Sequence, residues 1–166
     1  MKHKEYQRTL DESVKIFTGA IVIGDVTLKK NVSIWFNAVL RGDMAPIFVG
    51  ENTNIQDNAV VHTNTNLPTH IGANVTVGHN AIIHAATVGD YCLIGMGSIL
   101  LDGCVIEEGA MVAAGTVVPP RKVVPARHLA IGNPMKIVRE LTEEEIKGNL
   151  SNTMHYVTLM EDYQDE

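Results

Sequence analysis

A six-residue repeat constrains the fold of this chain more than any other feature of the sequence. From Ile71 to Val118 an aliphatic residue opens each hexapeptide and a small residue follows four positions later; only the block at Ile83 is one residue short. The opening residues are Ile71, Val77, Ile83, Val88, Ile94, Leu100, Ile106, Val112 and Val118, and the small residues are Val75, Ala81, Thr87, Cys92, Ser98, Cys104, Ala110 and Thr116. This pattern is typical of a parallel β-helix, whose triangular coil admits one large inward residue per side and one small residue per corner. The sequence therefore predicts an all-β solenoid.

The repeat also divides the chain. It extends backwards to Phe17 through Ile23 and Leu28, so we predict a repeat domain over residues 17–120, preceded by an N-terminal cap over 1–16. Pro119-Pro120 is expected to end the repeat, and residues 121–166 to form a return segment followed by a helix. That helix should begin at Thr142, because Glu145 three residues later completes a capping box. Its expected packing stripe is Ile146, Leu150, Met154 and Val157.

Counting by the repeat places particular side chains above one another. Three hexapeptides complete one turn, so residues one turn apart stack at about 4.8 Å. One side of the coil has Leu40, Val61, Ile83 and Leu100 as its inward residues. The residues directly after the first three, Arg41, His62 and His84, must point outward, and we call them the histidine column. Two imidazoles at that spacing can bind one metal ion.

A third histidine, His79, lies on the preceding side, with Asp57 stacked beneath it. The chain from His79 to His84 covers roughly 16 Å at the rise of a strand, whereas zinc needs each ring nitrogen within about 2.1 Å. One chain cannot close that triangle, but a neighbouring solenoid could. Heterologous contacts of this kind close into rings. The sequence therefore predicts a homotrimer with metal sites shared between subunits.

This set of residues resembles the gamma class of carbonic anhydrases. The matching segments are Arg41-Gly42-Asp43, Asn54-Ile55-Gln56-Asp57, His62, Gly78-His79-Asn80 and His84, and the resemblance covers nearly the whole chain. It implies a left-handed β-helix in which His62, His79 and His84 hold Zn²⁺ or Fe²⁺, two from one subunit and one from the next. It implies hydration of CO₂ to bicarbonate by a metal-bound hydroxide. It also assigns Gln56 to hydrogen-bond that water or hydroxide, and Tyr156 is the nearest match to a tyrosine that some members place beside the metal.

Other polar residues have two interpretations each. Arg41 and Asp43 are candidate catalytic or site-organising residues, paired at a subunit edge, or an exposed ion pair that contributes little. Asp57 either orients the His79 ring or bonds local backbone at a corner. His70 is either a proton carrier or a solvated loop residue.

The expected turnover is low, and three different functions stay open beside CO₂ hydration. Active members of the family carry shuttle glutamates after the Arg-Gly-Asp segment and after the first histidine, whereas Met44-Ala45-Pro46 and residues 63–69 contain no carboxylate. A hexapeptide-repeat acyltransferase that uses acyl-coenzyme A would need one histidine as general base. A metal-dependent thioesterase would use the same metal site, and a scaffold subunit would have no catalytic role.

Charge and hydropathy argue against nucleic acid and a membrane as partners. The net charge of −6 argues against nucleic acid, whose binding requires a basic surface. The first 30 residues contain no long apolar run, so we expect neither a secretion signal nor a membrane span, and we predict a cytoplasmic protein. Cys92 and Cys104 take small inward positions and are interpreted as reduced core residues.

Overall fold

Short parallel strands wind the chain into a left-handed β-helix of about seven turns, followed by one α-helix, as the repeat and the resemblance predict. The computed structural model describes residues 6–163. The strands are β1 (Arg8–Leu10), β2 (Lys15–Ile16), β3 (Ile21–Leu28), β4 (Ser33–Ile34), β5 (Val39–Val49), β6 (Asn54–Ile55), β7 (Val60–His62), β8 (Thr69–Ile71), β9 (Thr76–Val77), β10 (Ile82–His84), β11 (Thr87–Val88), β12 (Leu93–Ile94), β13 (Ile99–Leu100), β14 (Val105–Ile106), β15 (Met111–Val112), β16 (Val117–Val118), β17 (Val123–Val124), β18 (His128–Ile131) and β19 (Lys136–Glu140). The helix is α1 (Glu143–Asp162).

Three flat faces surround the core. The first face contains β7, β10, β13 and β16, and the second contains β8, β11, β14 and β17; the long strand β5 pairs with both β7 and β8 and so joins the two faces. The third face runs through β2, β4, β6, β9, β12, β15 and β18, and β19 adds an antiparallel edge to it. Helix α1 packs over the third face against β4, β6 and β9.

The core is the column of inward aliphatic residues that the repeat predicts. Ile55, Ile83 and Ile94 are completely buried, and burial of each such side chain stabilises the fold by roughly 1.5–3 kcal/mol. One predicted corner residue is wrong. Thr87 is exposed and Ala86 is buried in its place, because the small residue lies two positions before the next aliphatic residue and the Ile83 block is one residue short.

The N-terminal register is one residue earlier than predicted. Ile16 pairs with Ile34, and Val22 pairs with Leu40, so Ile16 and Val22 hold the repeat position. Ile23 is instead 52% exposed. Phe17 leaves the solenoid core and packs with Trp35 and Met160 of α1. Apolar residues stand side by side at both places, and the sequence pattern alone could not choose between them.

Solenoid pairing also extends beyond the predicted bounds of 17–120. Strand β1 pairs with β3, β17 with β14, and β18 with β15. Pro119-Pro120 forms a corner instead of ending the repeat: the Lys122 N–H donates to the Pro119 carbonyl at 3.2 Å, and Arg121 between them has φ +59°. Proline fits the second position of such a turn because its φ is already fixed. Of the predicted N-terminal cap, residues 1–5 lie outside the described part of the chain.

The start of α1 is as predicted, and its packing face is so only in part: Val157 packs against the cluster of Phe17, Trp35 and Met160. The Glu145 N–H donates to Thr142 Oγ1 at 3.2 Å, and the Thr142 N–H donates to Glu145 Oε2 at 2.9 Å, which completes the capping box. The buried residues of the helix are Thr153 and Met160. Leu150 and Met154 of the predicted stripe are 38% and 42% exposed. The aromatic cluster around Trp35 sets this rotation, because it receives Met160 and Tyr156.

Candidate metal centre

The register in which β5, β7 and β10 pair stacks the three residues of the histidine column. Arg41 pairs with His62, and His62 pairs with His84, which confirms the stacking predicted from the repeat. The rings lie close enough for His62 Nδ1 and His84 Nε2 to be 3.1 Å apart. The first face therefore presents two imidazole nitrogens at one place.

Each ring is held by a carboxylate on its other nitrogen. Asp43 Oδ1 lies 2.9 Å from His62 Nε2, and its second oxygen accepts from Arg41 Nη1 at 2.5 Å. Asp102 Oδ1 lies 2.5 Å from His84 Nδ1, and its second oxygen accepts from Asn64 Nδ2 at 2.7 Å. The Arg41–Asp43 pair is present, as both interpretations of the tripeptide require, and Asp43 also contacts His62.

These contacts keep both carboxyl groups ionised. The bond to His62, followed by those to Arg41, lowers the pKa of Asp43. The bond from Asn64, followed by that to His84, lowers the pKa of Asp102. An ionised carboxylate only accepts hydrogen bonds, so the ring nitrogens that face Asp43 and Asp102 carry the protons.

The protons on His62 Nε2 and His84 Nδ1 bear on the protonation of the two nitrogens that face each other. When both imidazoles are neutral, each has one N–H and one lone pair, so the lone pairs of His62 Nδ1 and His84 Nε2 face each other across 3.1 Å. Two lone pairs at that distance repel unless a positive charge lies between them. A shared proton or a metal ion satisfies both, and a nitrogen–metal distance of about 2.1 Å is compatible with this separation.

Asp102 and Asn64 were not predicted from the sequence. Asp102 follows Leu101, the apolar residue that takes the next position in the register of the histidine column. Asn64 belongs to the loop after His62, and residues 63–69 of that loop contain no carboxylate. Asp102 could have been found from its place in the sequence, because it is an acidic residue directly after the next position of the histidine column.

A second group of predicted residues lies near the third face. His79 Nδ1 is 2.7 Å from Asp57 Oδ2, the orienting contact that was one of the two interpretations of Asp57. Each of these residues precedes an asparagine with φ +58°, Asn58 or Asn80, and the Asn80 N–H donates to the Asp57 carbonyl at 3.0 Å. Equivalent corners thus stack, which places the carboxylate beside the imidazole and leaves His79 Nε2 as its available ligand nitrogen.

A cavity of about 250 Å³ adjoins His79 beneath α1. Gln56, Met96, Asn152 and Tyr156 are among its lining residues. Gln56 is only 4% exposed, although the repeat predicted an outward side chain, because α1 covers this face. The Tyr156 ring packs edge-on against Trp35 at 5.3 Å, and burial, followed by the charge of Asp57, raises the pKa of the Tyr156 hydroxyl.

The two groups do not meet within one chain. Over residues 6–163, no three side chains of His, Cys, Asp or Glu are arranged to hold one metal ion. The structure thus brings His62 and His84 together with Arg41 and Asp43, and His79 together with Asp57, Gln56 and Tyr156. His70 belongs to neither group: it lies on β8 and stacks on Phe48 with 4.7 Å between ring centroids.

Comparison with known proteins decides the family. Residues 3–160 match the family model described as dynactin subunit 5. The chain is 44% identical to a probable carbonic anhydrase from Methanocaldococcus jannaschii over 152 residues, which cover 92% of this chain and 96% of the relative. This chain belongs to the gamma carbonic anhydrase-like family of hexapeptide-repeat proteins.

Other relatives of the gamma carbonic anhydrase-like chain have different names and lengths. It is 47% identical to the mitochondrial gamma carbonic anhydrase 2 of Arabidopsis thaliana, over 95% of this chain but only 59% of that protein. A crystal structure of a hexapeptide transferase family protein from Anaplasma phagocytophilum superposes with a TM-score of 0.90 at 46% identity, covering 95% of this chain and 93% of the other.

Among the described residues of this family member, no helix is long and apolar enough to cross a membrane. The cytoplasmic location and the lack of nucleic-acid binding stay predictions from the sequence.

Proposed function

We propose that this chain is a metal-dependent enzyme that interconverts carbon dioxide and bicarbonate at sites shared between the subunits of a homotrimer. One observation carries the proposal: His62 Nδ1 and His84 Nε2 lie 3.1 Å apart, and a carboxylate lies against the other nitrogen of each ring. That arrangement suits a bound cation. The relatives named as carbonic anhydrases support the choice of substrate.

The proposed ligands are His62 and His84 of one subunit and His79 of the next. Imidazole suits both Zn²⁺ and Fe²⁺, and the sequence indicates no preference between them. An ion held by three neutral imidazoles would keep its full charge and would supply the Lewis acidity that makes water a nucleophile for CO₂ near neutral pH.

The surrounding residues have defined roles in this proposal. The Arg41–Asp43 pair orients His62, Asp102 orients His84, and Asp57 orients His79, because a ligand histidine needs its second nitrogen held. Gln56 supplies an uncharged amide that can hold the attacking water without adding charge. Tyr156 borders the same cavity and stays protonated.

The separation of the two groups supports a site shared between subunits, and we take the ring of three from the triangular solenoid. The histidine column lies on the first face and His79 lies at a corner next to the third face, so a contact between unlike edges of two subunits would unite them. Contacts of that heterologous kind close into a ring. Each of the three contacts would then complete one site.

We propose a low turnover for this enzyme. The water that attacks CO₂ must lose a proton to solvent, and residues 44–46 and 63–69 offer no carboxylate to carry it. The hydration rate should therefore rise with the concentration of an external imidazole buffer, which can accept the proton directly.

An acyltransferase is the second candidate, and one contact favours it. The Asp57–His79 pair, 2.7 Å between Oδ2 and Nδ1, has the arrangement of a general base, and a similar solved structure is called a hexapeptide transferase. That chemistry needs no metal. A thioesterase at the same metal site and a scaffold subunit are the third and fourth candidates.

Metal analysis and three assays separate these functions. Protein purified without added metal should contain about one Zn²⁺ or Fe²⁺ per chain, have the mass of a trimer by light scattering, and hydrate CO₂ until a chelator removes the metal. Metal-independent acyl transfer from acetyl-coenzyme A would contradict the proposal in favour of the acyltransferase. Metal-dependent hydrolysis of acyl-coenzyme A without CO₂ hydration would assign the thioesterase, and inactivity in all assays would assign the scaffold.

A further inference from the structure

A buried chain of hydrogen bonds connects α1 to Gln56. Its members are Gln56, Asn54, Thr76 and Thr153, which are 4%, 1%, 4% and 2% exposed. The contacts are Gln56 Nε2 to Asn54 Oδ1 at 3.1 Å, Asn54 Nδ2 to Thr76 Oγ1 at 3.0 Å, and Thr76 Oγ1 to Thr153 Oγ1 at 2.9 Å. Thr153 also donates to the Asn149 carbonyl of its own helix at 3.1 Å.

The helix carbonyl fixes the direction of every bond in this chain. A carbonyl only accepts, so the single hydroxyl proton of Thr153 goes to Asn149, and Thr76 must donate to Thr153. Thr76 then has no proton left for Asn54, which must turn its NH₂ group toward Thr76 and its oxygen toward Gln56. Gln56 must in turn donate through Nε2.

We propose that Thr153 is a positioning residue that fixes the side-chain amide of Gln56 with Oε1 available to the cavity. Gln56 lines that cavity with His79 and Tyr156. An amide that offers its oxygen accepts a hydrogen bond from an O–H group, whereas the flipped amide would donate one. The site therefore favours a ligand that donates a hydrogen bond, from an O–H or an N–H group, next to His79. The inference rests on the proposed function only for the identity of that ligand.

Docking of α1 on the third face thus also controls the orientation of the Gln56 side-chain amide. In a low-dielectric interior, successive hydrogen bonds polarise one another, and loss of the terminal acceptor frees three groups to reorient together. Without the Thr153 hydroxyl, Thr76 can donate to Asn54, and both amides can then flip. The expected consequence is a Gln56 side chain with two orientations instead of one.

Nuclear magnetic resonance of the Gln56 side-chain amide tests this directly. The chain has three glutamines, Gln7, Gln56 and Gln164, so selective ¹⁵N-glutamine labelling of the zinc-loaded protein gives three NH₂ pairs, and Q56A assigns the relevant one. We expect T153V to shift and broaden the Gln56 pair and to lower the CO₂ hydration rate about fivefold to tenfold, with zinc content unchanged. T153S, which keeps the hydroxyl, should restore both.

Thr158 offers a matched control on the same helix. Its hydroxyl donates to the Met154 carbonyl, also four residues back, but it is exposed and outside the chain of bonds. T158V should leave the Gln56 resonances and the rate unchanged. If T153V leaves the Gln56 resonances at their wild-type positions, or T158V moves them equally, the proposal is overturned.

A second variant covers the case in which T153V undocks the helix. Trp35, the only tryptophan, contacts Tyr156 of α1, so its fluorescence reports docking. If T153V shifts that emission to the red, T76V decides instead, since it removes the same bond from the β9 side. The amide readout is independent of catalysis: an inactive wild type would contradict the proposed function, while an unmoved Gln56 resonance would contradict only the role of Thr153.

Discussion

The two halves of the candidate site are held by different kinds of structure. The histidine column consists of side chains from successive coils of one face, and the ladder register alone places Arg41, His62 and His84 in line. The half beside His79 depends on α1, which buries Gln56, supplies Tyr156 and accepts the hydrogen bonds that end at Thr153. A solenoid therefore positions ligands through its repeat, whereas the group that would contact substrate is positioned by an appendage.

This difference predicts different sensitivities. Changes in the column should act on metal binding and leave α1 in place. Changes in α1 should act on Gln56 and the cavity and leave the bound metal in place.

The largest effect is expected from H84A. Removal of one of the three proposed ligands should weaken zinc binding by about 100-fold or more, while the melting temperature of the metal-free protein stays close to wild type, because His84 points outward from the core. Competition with a chromophoric chelator measures the affinity. H70A is the matched control, since His70 contacts Phe48 on another face; stoichiometric zinc in H84A would show that the column is not the ligand set.

An intermediate effect is expected from D102N. The asparagine no longer fixes which nitrogen of His84 carries the proton, so zinc affinity should fall by about 10- to 100-fold. D90N is the control, because the Asp90 carboxylate accepts the Ala73 N–H at 2.8 Å at another corner. Equal affinities of D102N and D90N would remove Asp102 from the site.

A smaller effect is expected from Y156F. Phenylalanine keeps the ring against Trp35 and removes only the hydroxyl, so zinc content should not change and the hydration rate should fall by no more than about tenfold. Steady-state rates with and without imidazole buffer measure this. An unchanged rate would limit Tyr156 to packing.

The smallest effect is expected from acid, which should weaken the docking of α1 by protonating Glu145 of the capping box. The bonds from Arg139 and Thr142 lower the pKa of Glu145 from 4.5 to about 2. Its contribution to α1 stability is therefore complete above pH 4.5 and is lost as the pH falls toward 2. Trp35 emission should report weaker docking over that range in wild type, and a flatter response in E145Q.

E144Q is the control for this titration, because Glu144 lies in the same first turn and outside the capping box. It should follow the wild-type curve. Parallel curves for E145Q and wild type would show that the capping box does not control docking.

The column could be predicted from sequence, and the contributions of other segments could not. A period of six fixes which residues stack, so His62 above Arg41 follows from counting. Asp102 reaches His84 from a corner, and Asn64 reaches Asp102 from a loop; side-chain direction is not periodic in either place. The burial of Gln56 could not be predicted without knowing which face of α1 docks on the solenoid. That face depends on Phe17, which packs in the aromatic cluster and does not take the repeat position assigned to it.

The central claim, that each metal site is shared between subunits, is tested most directly by mixing two inactive variants. H79A subunits keep His62 and His84, and H84A subunits keep His79. A contact in which an H79A subunit supplies the histidine column and an H84A subunit supplies His79 therefore has all three proposed ligands. Random co-assembly of equal amounts should restore zinc to about a quarter of the sites, whereas each variant alone, with its affinity lowered by about 100-fold or more, should stay largely free of zinc under the same conditions. No recovery on mixing, or full zinc occupancy in H79A alone, would contradict the shared site.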